Sequence, residues 1–406
     1  MYATVMTTKN DYHKRLLEVY NNLCEGCGKI AIKRDAISII GPDAAKFLQG
    51  QMTQDISVLQ EGMSVYSFLL RPDGRVVAFV RVSRLSDDHF FLDTDHGWGA
   101  VVAERLERFK IRTKVTIELP EYHCVSLRGP LSNDVLGLGD TNSGDISSGL
   151  NSPHSTGSGS GSPYIDDKGK LDVGELYTIG DGVIAISLSW NWPLTGYDLF
   201  SEDPSAIDRL VGDLPEYPRD IIEALAEILR IEAGLPSMGR EIDSNTIPAY
   251  TAILDRVVSF GKGCYVGQEL VERIDSRGSH TPKRLCRLVE RNGITPLDTL
   301  DLSAITSTAW SPRYGGYVCM GYVPRKINVG DIIVLQGTSS DSSSEDVTGN
   351  VLNATINDSF ATSLEKVSGS SAPGSPIVDD LGHKSDSSEL AGRLFEVMPM
   401  IPGVMQ

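Results

Sequence analysis

Apolar and polar positions divide this chain into stretches of different texture. Over residues 31–120, short apolar runs alternate with turn residues, as in a mixed α/β unit. Residues 31–40 read as a strand that stops at Gly41-Pro42-Asp43. Residues 44–51 follow as a helix, with Asp43 in the N-cap position. Residues 66–70 and 75–84 read as strands on either side of Arg71-Pro72-Asp73-Gly74, which predicts a hairpin. A short strand at 89–93 comes next. Residues 97–110 then place Val101, Val102, Leu106 and Phe109 at helical spacing, and 114–119 return to strand.

The texture breaks at 141–162, which is mostly Gly, Ser, Asn and Asp. So few apolar groups cannot offset the entropy of ordering, so this is read as a flexible insertion. Order resumes by about Leu176. Residues 204–211 predict a helix with Asp203 as N-cap and Pro204 at its first position. Residues 219–234 predict a longer one, with an apolar stripe of Ile221, Leu225, Ile228, Leu229 and Ile231. From Lys283 onward the pattern is β-rich, with strands at 284–290, 317–323 and 331–336. Residues 339–390 hold 14 serines and nine acidic residues and read as a second disordered excursion. Residues 392–400 are apolar again and supply a last strand. The chain therefore divides into an α/β region over 1–282, in two subdomains, and a small β-barrel domain over 283–406; the fold class is α+β.

Composition narrows the function classes. Hydrophobic content of 40% and charged content of 22% are ordinary for a globular protein, and 406 residues predict more than one core. A formal net charge of -17 with no basic run argues against a nucleic-acid or anionic-membrane surface. No run of 18 apolar residues exists, so no membrane span is expected, and the first 20 residues look like neither a signal nor a transit peptide. Six scattered cysteines (Cys24, Cys27, Cys124, Cys264, Cys286 and Cys319) suit a reducing compartment, read as the cytoplasm.

One run stands out chemically: Lys262-Gly263-Cys264-Tyr265-Val266-Gly267-Gln268-Glu269, with Arg273 four positions on. It sets a thiol between glycines, with cations on both sides. A cysteine reacts as its thiolate, from an unperturbed pKa of about 8.5. Lys262, Arg273 and the start of a helix after Gly267 would each favour that anion. Gly263 and Gly267 would let backbone approach closely. The plain alternative is a loop cysteine with no role; the dense polar setting favours the reactive reading. Cys24-Glu25-Gly26-Cys27 supplies only two thiols, and tetrahedral zinc wants four ligands. The seven histidines form no HxxxH or HxH pair, so no metal site is predicted. Phosphate-loop, dinucleotide and GxSxG patterns are absent. Arg230 closes the long helix. It reads equally as a bidentate partner for a carboxylate ligand or as a surface ion pair.

The run from Lys262 to Glu269, with Arg273, resembles the signature of the YgfZ-type folate-binding proteins, relatives of the glycine-cleavage T-protein (aminomethyltransferase). Phe47-Leu48-Gln49-Gly50-Gln51-Met52-Thr53-Gln54-Asp55, the segment Leu229 to Gly234, Ile247-Pro248 and the β-region after Lys283 are similar to that superfamily in the same order. The resemblance spans roughly residues 25–340 and 391–406, apart from the two Ser-rich insertions. It implies a three-part, T-protein-like disc around a central cavity that binds tetrahydrofolate. It implies a role in making or maintaining iron–sulfur proteins, with client proteins or assembly factors as partners and Cys264 as the acting residue. Lys262, Tyr265, Gln268, Glu269, Arg273 and Arg230 are then the candidate folate-side residues. The eukaryotic branch is mitochondrial, which makes the matrix the alternative compartment. The aminomethyltransferase branch carries an aspartate after the second hairpin turn, where Gly74-Arg75-Val76-Val77-Ala78-Phe79 offers Ala78 and Phe79, neither able to exchange a proton. Its Tyr-Thr-Gly-Glu pattern is replaced by Leu194-Thr195-Gly196-Tyr197-Asp198, with Asp198 as a possible substitute. Folate-dependent one-carbon transfer is therefore the second reading.

Overall fold

The computed structural model describes residues 9–138, 174–190, 193–278, 281–292, 296–336 and 387–400. The expected insertions at 141–162 and 339–390 lie outside the described residues, save the last few of the second. In chain order the elements are α1 (Lys9–Glu25), β1 (Gly28–Ala31), β2 (Arg34–Ile40), α2 (Ala44–Gln49), β3 (Met63–Leu70), β4 (Val76–Arg84), β5 (His89–Asp95), α3 (Gly99–Phe109), β6 (Thr116–Glu118), β7 (His123–Arg128) and α4 (Ser132–Val135). Then come β8 (Gly174–Ile179), β9 (Val183–Ser187), β10 (Gly196–Ser201), α5 (Pro204–Val211), α6 (Arg219–Ala233), α7 (Leu254–Val257) and α8 (Gln268–Ser276). The last part holds β11 (Lys283–Arg291), β12 (Asp298–Asp301), β13 (Ile305–Ser311), β14 (Gly316–Pro324), β15 (Ile332–Gln336) and β16 (Leu394–Met398).

The first ten strands make one sheet, in the order β1-β7-β10-β9-β8-β3-β4-β5-β2-β6. Its two halves meet only where β8 touches β3, through Met63↔Glu175 and Ser64↔Gly174. Elsewhere they face each other: Phe91 on β5 and Phe200 on β10 stack edge to face at 5.1 Å. Helices α2 and α3 cover the first half around Ile37, Phe47, Leu48, Val80, Leu92, Val102 and Leu106. α5 covers the second half around Leu127, Val183, Leu199 and Ile207. The remaining strands form a second sheet, β12-β15-β16-β11-β14-β13, over a core of Leu288, Cys319, Ile333, Phe395 and Val397.

The hairpin expected at 71–74 is present. Gly74, at φ 81°, donates to Arg71 O, and Arg71 N donates to Arg75 O, so the turn closes β3 onto β4. Asp203 caps α5 by accepting from Ser205 N at 2.9 Å, and Gly234 ends α6 in the left-handed region. Asp43 departs from expectation. Its carboxylate accepts from Lys114 N at 2.7 Å and caps no helix N–H, because the chain after α3 returns beside it. The helix after it ends at Gln49, two residues early. Helix α1 was not expected, yet Leu16, Val19, Tyr20 and Leu23 recur at helical spacing and bury against Ile221, Leu225 and Ile228 of α6.

The three parts of the chain converge on one apolar cluster. It takes Tyr66, Phe68 and Phe79 from the first hairpin, Ile231, Met238 and Tyr265 from the α6–α8 segment, and Leu285, Val318 and Met320 from the second sheet. Tyr66 stacks on Phe79 at 5.2 Å, and Trp190 stands edge-on to Tyr66 at 5.2 Å. Burying these rings draws the parts together and brings the 262–269 run beside the first half.

Candidate functional site

The turn after α2 is the platform of the site. Thr53 Oγ1 donates to Val257 O at 2.6 Å, and Gln54 Nε2 donates to Arg256 O at 3.2 Å. Ser259 N then donates to Thr53 O, and Val266 N to Gly50 O. Residues 256–266 thus run along residues 50–54, fastened by hydrogen bonds across some 200 positions of sequence. The two stretches that carry the family resemblance, Phe47 to Asp55 and Lys262 to Glu269, are brought into direct contact.

Beyond that seam the loop turns into α8 through Gly267, at φ 85°. An added Cβ there would lie 2.4 Å from Arg71 O and 2.9 Å from Leu70 Cβ, so this glycine is required by both backbone and space. Gly263 differs from expectation. Nothing stands within 4 Å of the Cβ it lacks, so it faces open space. Cys264 is exposed between them, four residues before the first residue of the helix. Tyr265 points inward and is 8% exposed, anchored in the central cluster.

Lys262 is only 8% exposed, and its ammonium donates to Gln49 O at 2.7 Å, Met52 O at 2.7 Å and Gln54 O at 2.8 Å. Its three hydrogens are spent on backbone, so the expectation that Lys262 faces a ligand or the thiol gives way to a structural role. Burial pulls its pKa down to about 8, opposed by Asp55. Gln268 accepts from Tyr265 N at 3.3 Å and donates to Glu272, closing the first turn of α8 over the loop. Glu269 and Arg273 are exposed on the same helix.

Arg230 lies apart from this loop. It donates to both oxygens of Glu227, to Glu241 Oε2 at 2.8 Å, to Leu235 O at 2.9 Å and to Ser307 Oγ at 2.7 Å. Every nitrogen of the guanidinium is engaged, so it joins α6 to β13 and is not presented to a carboxylate ligand. Burial of the ion cluster favours keeping it paired, and the neighbouring carboxylates hold Arg230 charged.

The positions expected to differ from the aminomethyltransferase branch are both buried. Ala78 belongs to the first-half core and Phe79 to the central cluster. Asp198 accepts from Ser126 Oγ at 2.6 Å, lies 2.9 Å from Arg81 Nη1 and 3.6 Å from Arg128 Nη2. The Arg81 contact is close but lacks hydrogen-bond alignment, so it counts as a charge pairing. Burial raises the Asp198 carboxyl, but Arg81, Arg128 and Ser126 together leave it below its ordinary range. It is a member of a buried ion cluster with Arg34, Arg81 and Asp93 and has no proton to exchange near neutral pH.

A cleft of about 640 Å³ opens elsewhere, between the two halves of the first sheet. It is lined by Arg34, His96, Tyr122, Cys124 and Asp208, among others, and neither Cys264 nor any of the candidate folate-side residues lines it. Among the described residues no group of three His, Cys, Asp or Glu side chains is arranged to hold a metal ion. No described helix is long and apolar enough to cross a membrane. The CxxC pair closes α1 and does not open a helix; Cys24 is exposed, Cys27 lies 3.5 Å from Ser132 Oγ, and burial pushes both thiols up.

Sequence reasoning quoted Thr53 and Gln54 only as part of the 47–55 run, with no role of their own, and passed over Arg105. Arg105 on α3 donates to Gln51 Oε1 at 3.1 Å and Leu70 O at 2.9 Å, tying the turn after α2 to α3 and to the end of β3. Its signal was a lone arginine among the apolar positions of a predicted helix.

Residues 33–146 match the model of the GCVT N-terminal domain. The glycine cleavage system aminomethyltransferase T of Bartonella henselae superposes on this chain with a TM-score of 0.60 at 19% identity, covering 78% of this chain and 84% of that one. The fold is therefore mixed α/β, T-protein-like, of the aminomethyltransferase type. The mitochondrial iron–sulfur cluster assembly factor IBA57 homolog of Neurospora crassa is 27% identical over 295 residues, 68% of this chain. The match spans only 56% of that relative's length. An aminomethyltransferase of Koribacter versatilis is 26% identical over 313 residues, 73% of this chain and 76% of its own.

Proposed function

We propose that this chain is an accessory protein of iron–sulfur cluster assembly or repair, with the Cys264 thiol as its acting group. The observation that carries the reading is the contrast along one loop. Lys262, Tyr265 and Gly267 are all tied into the fold, while Cys264 between them is exposed beside open space at Gly263. That is how a thiol is held for a partner to reach. The description of the Neurospora relative as an assembly factor supports the same role. Partners are then iron–sulfur clients or assembly factors, since one thiolate cannot hold a cluster alone. The compartment is a reducing one, the cytoplasm or the mitochondrial matrix.

Tetrahydrofolate is the ligand this fold suggests. At the junction Tyr66, Phe79 and Trp190 are buried against one another, and positions 78 and 79 offer no carboxylate. Alanine and phenylalanine there cannot exchange a proton with a bound ligand. Bound folate would therefore serve as ligand, without methylene transfer through Ala78 or Phe79. Titration with tetrahydrofolate, followed by tryptophan fluorescence, is expected to saturate; a flat titration removes folate from the proposal and leaves the thiol role standing.

The decisive experiment is Cys264→Ser. The substitution touches an exposed side chain, so thermal stability should change by less than about 0.5 kcal/mol. Iron–sulfur enzyme activity in a strain lacking its own assembly factor should fail to recover. Full recovery with the serine variant would end the assignment. The similarity to aminomethyltransferases favours a second reading, folate-dependent one-carbon transfer. Methylene-tetrahydrofolate formed from an aminomethyl donor would support it, and no turnover is expected.

A further inference from the structure

We propose that Lys262 is a positioning residue that fixes where the loop presents the Cys264 thiol. The proposal rests on reading Cys264 as the acting group. An ammonium has three hydrogens, and here three backbone oxygens receive them, at 2.7, 2.7 and 2.8 Å. The acceptors share a setting. Gln49 is the last residue of α2, and Met52 and Gln54 lie in the turn after it. Carbonyls at a helix end have no partner within the helix, and a cation there is favoured by the helix dipole. The Tyr265 ring, 5.1 Å from the ammonium, adds a face that also favours positive charge. Asp55 is the acidic group that acts on it.

The effect on Cys264 follows from where the ties fall. Lys262 fastens the loop on one side, and Val266 N, bonded to Gly50 O, fastens it on the other. Only Gly263, Cys264 and Tyr265 lie between, and Tyr265 is itself buried. A span of three residues held at both ends has little freedom, so the thiol is confined although it is exposed. Arginine does not substitute, because its planar fork cannot direct three hydrogens at carbonyls converging on one point. Methionine fills the stem's volume and donates nothing.

The test uses the full chain with Cys24→Ser and Cys27→Ser, which leaves Cys264 as the exposed thiol while Cys124, Cys286 and Cys319 are buried. A nitroxide on Cys264 reports loop order by electron spin resonance, and hydrogen exchange reports the Val266 amide. With Lys262→Met, the label's rotational correlation time should shorten at least threefold, and Val266 should exchange at least tenfold faster. Lys262→Arg should move both readings the same way and fail to restore them. Equal line shapes and exchange rates in parent and Lys262→Met would overturn the proposal. A second measurement needs no substitution at 262: in the uniformly ¹³C,¹⁵N-labelled parent, an ammonium bonded to three carbonyls gives a slowly exchanging ¹H–¹⁵N signal coupled to those carbonyl carbons. Absence of that signal overturns the proposal even if Lys262→Met fails to fold. Neither reading depends on iron–sulfur activity, so failure here is distinct from failure of Cys264→Ser to lose function.

Discussion

Two glycines two residues either side of Tyr265 look alike in the sequence and differ physically. Gly267 has a positive φ and a wall of backbone where a Cβ would be; Gly263 has neither. Gly267→Ala is expected to destabilise by about 2 kcal/mol or more, through strain and the clash with Arg71 O. Gly263→Ala should stay within about 0.5 kcal/mol. Urea unfolding of the two variants checks the pair, and equal losses would contradict the loop geometry. The site residues illustrate what a sequence can carry. Cys264 stands out in the sequence because its neighbours are unusual in kind, and the fold adds that its side chain is exposed. Lys262 was legible as important but not in its direction, since charge in a string says nothing about which way a long side chain points. Arg230 was ambiguous for the same reason, and only its five hydrogen bonds separate a strut from a ligand contact.

At the scale of elements, periodicity worked where one face is buried and the other is wet. β3 and β4 around Gly74, and α5 behind Asp203, were legible because turn chemistry and burial pattern agree. Helix α1 was missed because its mixed charges and asparagines hid a stripe of four apolar residues. Its attachment is sharper than that stripe suggests. Tyr20 Oη donates to the buried Glu232 at 2.9 Å, and Ser311 Oγ donates to the same carboxylate at 2.5 Å. One carboxylate thereby joins α1, α6 and β13. Removing the tyrosine hydroxyl leaves a buried carboxylate short of a donor, so Tyr20→Phe should cost about 1–3 kcal/mol. It should also raise exchange in α1 ahead of the rest of the chain. Uniform exchange across all elements would show that α1 does not depend on this bond.

The whole molecule responds to pH through groups that the core of the second sheet buries. Burial pushes Cys286 up to about 11 and Cys319 up to about 12, from an ordinary 9.0. Both stay protonated in the folded chain while the unfolded chain releases its thiol protons. Their contribution is fully present below about pH 9 and is lost as pH rises from there toward 11 and 12. The slope is about 1.4 kcal/mol per pH unit for each thiol. Guanidinium unfolding at pH 8 and pH 10.5 should show the loss, and Cys286→Ala with Cys319→Ala should flatten it relative to the parent. What the sequence could not supply at this scale is the meeting of three parts on Tyr66, Phe79, Trp190 and Tyr265, because no local pattern records which distant rings will touch.

The bonds from Lys262 to the turn after α2 bridge 208 to 213 positions of chain. Such a closure cannot exist while the polypeptide is still growing through its first 250 residues. The thiol loop therefore closes only once residue 262 has been made and the turn at 49–54 is in place to receive it. A chain that misfolds its amino-terminal half would display Cys264 on a slack tether. Correct presentation of the thiol thus doubles as a report on the integrity of sequence two hundred residues upstream.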